Sequence, residues 1–360
     1  MPFNPGFELG EALDLLALCA ILEESDPPLP VPLGWNKLFE SSIIPPFDEK
    51  WQLWKNAAGA YAVVIRGTVE NAGSIAEDLL AFLANAKGRV TVGSWHADYQ
   101  FAADQHPHAA VTVGFALGAL FLLKHPTEGI LVQLADKVPA NGDVYVTGHS
   151  QGAATATLVR SYLEYAGDAP KAQNYAYKTY VYAQPKPGND HYASDFDNRF
   201  TNKGFAFRVN NSLDWVPQVP FTIEILTDIN KPNPLSQLSW PKKIIAKSLS
   251  IIGKVARFFI VGHVKGRLKP KASVVTQLAS GKTQVEVQRL GEGALTALAF
   301  DIPIEPSLNF VHAGSAIALE GRPCQGDECK DMFFEHHASL YYKLLQEQLG
   351  PARTSSSMLP

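Results

Sequence analysis

Charge is the scarcest commodity in this 360-residue chain. Asp, Glu, Lys and Arg make up 18% of it, against roughly 25% in an average soluble protein. The acidic and basic residues nearly cancel, leaving a formal net charge of -4, so nothing global points to nucleic acid as a partner. A lightly charged surface suits a protein that meets an apolar phase. Cysteine is also rare, with three in all. Cys19 stands alone, and Cys324 and Cys329 flank the short loop Gln325-Gly326-Asp327-Glu328. That spacing allows a loop disulfide in an oxidising compartment or a pair of free thiols. A zinc site would need two further nearby ligands, which the sequence lacks. No uncharged run is long enough to span a membrane. The first residues, Met1-Pro2-Phe3-Asn4-Pro5, lack the basic start of a signal peptide. The chain is therefore expected either in the cytoplasm or exported by a route that its sequence does not spell out. One further absence is local: Ile229 to Val285 contains no Asp or Glu.

What is present is organised around Asp143 to Tyr165. The β-branched run Asp143-Val144-Tyr145-Val146-Thr147 reads as a buried strand. Gly148-His149-Ser150-Gln151-Gly152 follows, and then the helix-compatible run Ala153 to Arg160. Strand, G-x-S-x-G and helix in that order define a nucleophile elbow. The serine is lifted on a strained turn, and only glycine-sized neighbours leave room for strand and helix to pack. On this reading Ser150 is the nucleophile and the Gln151 N–H faces a developing oxyanion. The bland alternative is a glycine-rich strand-to-helix turn. His149 points away from the substrate and is expected to pack or hydrogen-bond into the sheet.

Along the rest of the chain, residues 8–24 read as a helix with Leu13, Leu16, Ala17, Ala20 and Ile21 on one face. The proline-rich stretch 26–47 reads as an ordered surface loop. Trp51–Trp54 and Ala60–Arg66 read as a hairpin turned at Ala57-Ala58-Gly59. A helix bearing Ile75, Leu79, Leu80 and Phe82 comes next, residues 85–107 are expected to be irregular, and Val111–Leu123 reads as one long apolar helix. Lys178–Ala183 and Phe205–Asn210 read as further strands. Strands alternating with helices predict an α/β fold, with a mostly parallel central sheet covered on both faces. At this length about two domains would be usual. The pattern instead reads as a single α/β domain over 1–360, with an insertion at 221–310.

Several of these pieces, in this order, resemble the fungal-type or class three lipases of the α/β-hydrolase superfamily. They are Arg66-Gly67-Thr68 after a strand, Gly114-Phe115 in a helix, and the elbow itself. Gln184-Pro185 and Gly188-Asn189 follow, then Asn211 to Asp214 with Val216-Pro217, and a C-terminal His with a Tyr behind it. The resemblance covers about 50 to 220 and 311 to 345. Thr112 departs from it, standing where many members have histidine, and no catalytic meaning is attached to it. The resemblance implies a carboxylic ester hydrolase, most specifically a triacylglycerol lipase working at lipid–water interfaces. Phospholipase and feruloyl-esterase activities share the same residues, and a non-catalytic lipase-like scaffold is the reading of another class.

The triad of an α/β-hydrolase runs Ser, Asp or Glu, then His along the chain. Asp214 fits the carboxylate, although on local sequence alone it reads as an Asx-turn residue. For the base, His336 with Tyr341 fits the family spacing better than His337 with Tyr342, and His312 reads as structural. Thr68 is expected to supply the second oxyanion donor beside Gln151. No cofactor or metal is implied, and Gln100, His106 and His108 have no spacing that suggests one. Within the insertion, Lys243, Lys247, Lys254 and other cations alternate with Ile, Leu, Val and Phe between 240 and 270. This segment reads either as a core helix with solvated margins, or as a lid or interfacial helix in contact with lipid.

Overall fold

The computed structural model describes residues 3–25, 27–45, 47–67, 82–220, 222, 284–291, 294–305, 307–331 and 333–350. The basic apolar segment 240–270, Thr68 and the helix expected after it, apart from Phe82, lie outside these residues.

A seven-stranded sheet forms the frame. In chain order its strands are β1 (Asn36–Glu40), β2 (Trp51–Lys55), β3 (Tyr61–Ile65), β8 (Asp143–His149), β9 (Ala176–Tyr182), β11 (Ala206–Asn211) and β16 (Ser315–Leu319), which is also their order across the sheet. The first three pair antiparallel, and from β3 onward every pairing is parallel. The chain thus has the mostly parallel sheet expected of its alternating elements, in the α/β-hydrolase architecture that the resemblance implies.

Strands β3 and β8 and most of β9 are buried on both faces, as their apolar runs require, whereas the edge strand β16 is partly exposed. Successive side chains alternate between two cores. Val63, Ile65, Val144 and Val146 face one core, which is completed by helices α2 (Val113–Lys124) and α4 (Gln151–Tyr165). Ala62, Val64 and Tyr145 face the other, closed by α1 (Leu9–Leu22) and α6 (Ala338–Leu349). The first and last helices of the described chain therefore share one apolar cluster beneath the sheet. Helix α1 is buried more completely than one amphipathic stripe would predict, from Leu15 through Ala20 without a break.

Three expectations need correction. The stretch 26–47 is not all loop, because Asn36–Glu40 pairs with β2 as the edge strand. Residues 85–107 are not irregular: β5 (Lys87–Val92) and β6 (Trp95–Gln100) form a hairpin with Val92 opposite Trp95. Its two-residue turn is Gly93-Ser94, and Gly93 takes the positive φ of +60° that such a turn demands. The helix expected from Val111 starts at Val113. Residues Ala110–Thr112 instead form the short strand β7, which pairs with β4 (Leu83–Asn85). Thr112 is fully buried there, its hydroxyl donating to the Lys186 carbonyl, which is a structural role.

Within 221–310, backbone strands β12 (Gln284–Gly291) and β13 (Ala294–Asp301) pair antiparallel, and β13 extends the β5–β6 hairpin. Residues Ile304–Glu305 (β14) then pair with β4. Beyond them, β10 (Gly188–Asn189) lies between β7 and β15 (Phe310–Val311), and helix α5 (Asp190–Arg199) follows β10. Near the C-terminus Cys324 and Cys329 form a disulfide, while Cys19 is a buried free thiol.

Candidate active site

Ser150 sits between the end of β8 and the start of α4 with φ 56° and ψ −132°. This is a left-handed φ that a side chain rarely adopts, so the turn stores strain at Ser150. The glycines on either side are there for space. A Cβ on Gly148 would lie 2.2 Å from the Gly152 carbonyl oxygen, and one on Gly152 would lie 2.4 Å from that of Ile65. Strand β8, strand β3 and helix α4 meet too closely for any larger residue.

Three separated segments converge on Ser150. His336 ends a short 3-10 turn, Phe334–His336, just ahead of α6, and its Nε2 lies 2.8 Å from Ser150 Oγ. On the other side of the ring, Nδ1 is 2.8 Å from Asp214 Oδ2. Asp214 follows β11 and is 2% exposed. Its two oxygens divide the work. Oδ1 accepts the Val216 N–H at 2.9 Å, the Asx-turn contact of the bland reading, while Oδ2 accepts from His336 and from the Tyr341 hydroxyl at 2.7 Å. Burial pulls the His336 imidazole below its ordinary value, the Asp214 hydrogen bond opposing it only in part. The ring is thus a neutral acceptor toward Ser150 near neutral pH, with Nδ1–H held by Asp214.

His337 is elsewhere. It caps the start of α6 and pairs its Nε2 with Asp331 Oδ2 at 2.6 Å, with over a third of its side chain exposed. His312 is also apart, its Nε2 bound to the Pro217 carbonyl at 2.8 Å. Burial, with the Arg208 charge beside it, pushes His312 down to about 4.

Gln151 is the first residue of α4, so its N–H points out of the helix's positive end toward the Ser150 side of the turn. Its side-chain amide donates to Glu49 Oε1 at 3.3 Å. Thr68, the expected partner donor, lies outside the described residues, but its neighbour Gly67 does not. The Gly67 N–H donates to Glu23 Oε1 at 3.0 Å. A Cβ on Gly67 would lie 3.1 Å from that of Ser150, so the backbone just past β3 adjoins the serine turn.

Two side chains of this neighbourhood were not legible as site residues. Glu23 directly follows helix α1, and no local motif marks it. His149 is buried under Ser150, with Nδ1 2.9 Å from Glu23 Oε2 and Nε2 2.9 Å from the His336 carbonyl oxygen. It does bond into the structure beneath the elbow, as expected, but onto the His336 loop rather than into the sheet. Among the described residues, no group of three or more His, Cys, Asp and Glu is placed to hold a metal ion. No described helix is long and apolar enough to cross a membrane.

Solved structures with this architecture include M37 lipase, at 16% identity, with 94% of this chain and 92% of that one covered and a TM-score of 0.50. The Rhizomucor miehei triacylglyceride lipase is 18% identical over 60% of this chain and 77% of its own, with a TM-score of 0.41. The Rhizopus microsporus var. chinensis lipase is 17% identical over 61% and 73%, also at 0.41. At such an identity the likeness to M37 lipase shows the fold alone. No curated protein matches the chain. The profile of the family described as Lipase (class 3) matches residues 62–224. Over that stretch, which carries β3, the elbow and the Asp214 loop, the chain is similar to the class 3 lipases.

Proposed function

We propose that this protein hydrolyses carboxylic esters through Ser150, His336 and Asp214, with water-insoluble acylglycerols as its preferred substrates. The observation that carries the reading is the unbroken hydrogen-bond chain Ser150 Oγ to His336 Nε2 and His336 Nδ1 to Asp214 Oδ2, at 2.8 Å each. In the first step Ser150 Oγ attacks the ester carbonyl carbon and His336 Nε2 takes the hydroxyl proton. Asp214 holds the imidazolium that forms. The carbonyl oxygen becomes an oxyanion facing the Gln151 N–H, with Thr68 as the second donor. Collapse expels the alcohol, which leaves with the proton from His336. Water then repeats the sequence on the acyl-serine, releasing the carboxylic acid and restoring Ser150. Each oxyanion donor contributes about 10²–10³ in turnover in comparable sites.

The preference for acylglycerols is drawn from the family and from the low charge content. We further read 1–360 as one α/β-hydrolase domain, with 221–310 inserted after the Asp214 loop and its 240–270 segment meeting the lipid surface. The Cys324–Cys329 disulfide favours an oxidising compartment.

A panel of esters tests the reading. Acyl chains from acetate to oleate are assayed below and above their solubility limits, beside a phosphatidylcholine and a methyl ferulate. The expected result is fastest cleavage of long acylglycerols above the solubility limit. Ser150→Ala is expected to lose about four to six orders of magnitude of activity with an unchanged circular dichroism spectrum. Faster cleavage of phospholipid or ferulate would replace the substrate class. Activity above one percent in folded Ser150→Ala would overturn the mechanism.

A further inference from the structure

The buried side chains beneath the elbow pose a proton-counting problem. Both nitrogens of His149 face acceptors: Glu23 Oε2 at 2.9 Å and the His336 main-chain oxygen at 2.9 Å. A neutral imidazole has one N–H and can serve only one of them, whereas an imidazolium donates to both. A carbonyl oxygen cannot supply the missing proton, so it must sit on His149 or on Glu23. Glu23 Oε1 already accepts the Gly67 N–H at 3.0 Å, a contact that favours the carboxylate form. Because the pair is 5% and 15% exposed, leaving either charge without the other would be costly.

We infer that Glu23 and His149 form a standing carboxylate–imidazolium pair that anchors the His336 loop and keeps a positive charge against the His336 ring. They are positioning residues, and the inference rests on His336 being the base. The pair has three attachments. Glu23 ties the end of β3 through Gly67, His149 belongs to the elbow, and the His149 Nε2–H holds the main chain of His336. One ion pair thus fixes the oxyanion strand, the nucleophile turn and the base relative to one another.

The electrostatic consequence has a definite sign. The His149 and His336 rings are 4.7 Å apart between centroids, so a cation on His149 disfavours a second on His336. Burial already lowers His336, and the His149 charge lowers it further against the pull of Asp214 and Glu23. For His149 itself burial acts downward, but the Glu23 charge and hydrogen bond prevail and raise it. Burial acts upward on Glu23 and is likewise overcome, chiefly by His149. Among the described residues, the other titratable groups around the pair are Cys19 of α1, Tyr182 of β9, Asp214 and Tyr341. Burial raises the Cys19 thiol and both tyrosines, so these three stay neutral and leave the pair's charges intact.

Two measurements on the full-length protein test this. The first is ¹⁵N NMR of the histidine rings in folded Ser150→Ala, which needs no turnover. His149 is expected to show two protonated nitrogens throughout pH 6–8. A single unprotonated nitrogen in that range places the proton on Glu23, and the inference fails. The second is the pH profile of kcat/KM in His149→Gln, whose amide can still donate to the His336 carbonyl but carries no charge. Its acidic limb is expected to move to higher pH by about half a unit or more, with kcat reduced and KM nearly unchanged. A merely structural role would lower activity at every pH and leave the limb in place, which would overturn the electrostatic part. Failure of the triad reading shows separately, as retained activity in Ser150→Ala, while the NMR result reports on the pair regardless.

Discussion

Tyr341 donates its hydroxyl hydrogen to Asp214 Oδ2 at 2.7 Å and accepts the Asn211 N–H at 3.0 Å. One fully buried phenol thereby links α6 to the end of β11 and gives Asp214 Oδ2 a second donor besides His336. Tyr341→Phe leaves a buried N–H without its acceptor and removes that donor. The expected loss is about 1–3 kcal/mol of stability, read from urea unfolding. kcat is expected to fall about tenfold with little change in KM. Wild-type unfolding and kinetics would show that Tyr341 is packing alone.

The two adjacent histidines separate cleanly. His336→Ala is expected to be about as damaging as Ser150→Ala, because nucleophile and base act as one unit. His337→Ala removes only an exposed pair with Asp331, so it is expected to keep most activity. Steady-state kinetics of both variants on one soluble ester decide the matter, and the reverse ranking would move the role to His337.

Glu49 offers a test through stability. It is 3% exposed and abuts Gly118 of α2. Burial pushes its carboxyl up to about 8, against the opposing effects of Arg66 and the Gln151 hydrogen bond. The folded protein therefore keeps this proton up to about pH 8, whereas the unfolded chain loses it near 4.5. Stability from this group falls as pH rises through that window. Glu49→Gln stays neutral throughout, so its Tm is expected to decline less between pH 5 and 8 than the parent's. Parallel Tm curves would mean that Glu49 is ionised in the fold.

The interfacial reading of 240–270 is tested by charge reversal at Lys243, Lys247 and Lys254. Binding to anionic vesicles is expected to weaken by about 1 kcal/mol per charge, with hydrolysis of a soluble acetate ester nearly unchanged. If sedimentation with vesicles and cleavage of long-chain esters both stay at the parent level, the segment is ordinary packing.

The legible parts of this chain are those whose cause is local. The runs at β3, β8, β9 and β11 announce buried parallel strands, and the glycines at 148 and 152 announce the elbow because their reason is a contact within a few residues. The β5–β6 hairpin was equally local and was still missed. Gly93-Ser94 between Val90, Val92, Ala97 and Tyr99 is a hairpin signal obscured by the surrounding polar residues. Strand β1 is hidden by the prolines on either side of it, since its pairing partner β2 lies beyond Pro45 and Pro46. Glu23 was out of reach for another reason. It directly follows an apolar helix, 126 positions from His149, and only the packing of α1 against the sheet gives it a partner.

The shared apolar cluster of α1 and α6 has a consequence during synthesis. Synthesis makes Leu9–Leu22 and Ser150 before His336 and Ala338–Leu349. The imidazole hydrogen-bonded to Ser150 therefore comes into place only after both helices of the shared cluster have been made.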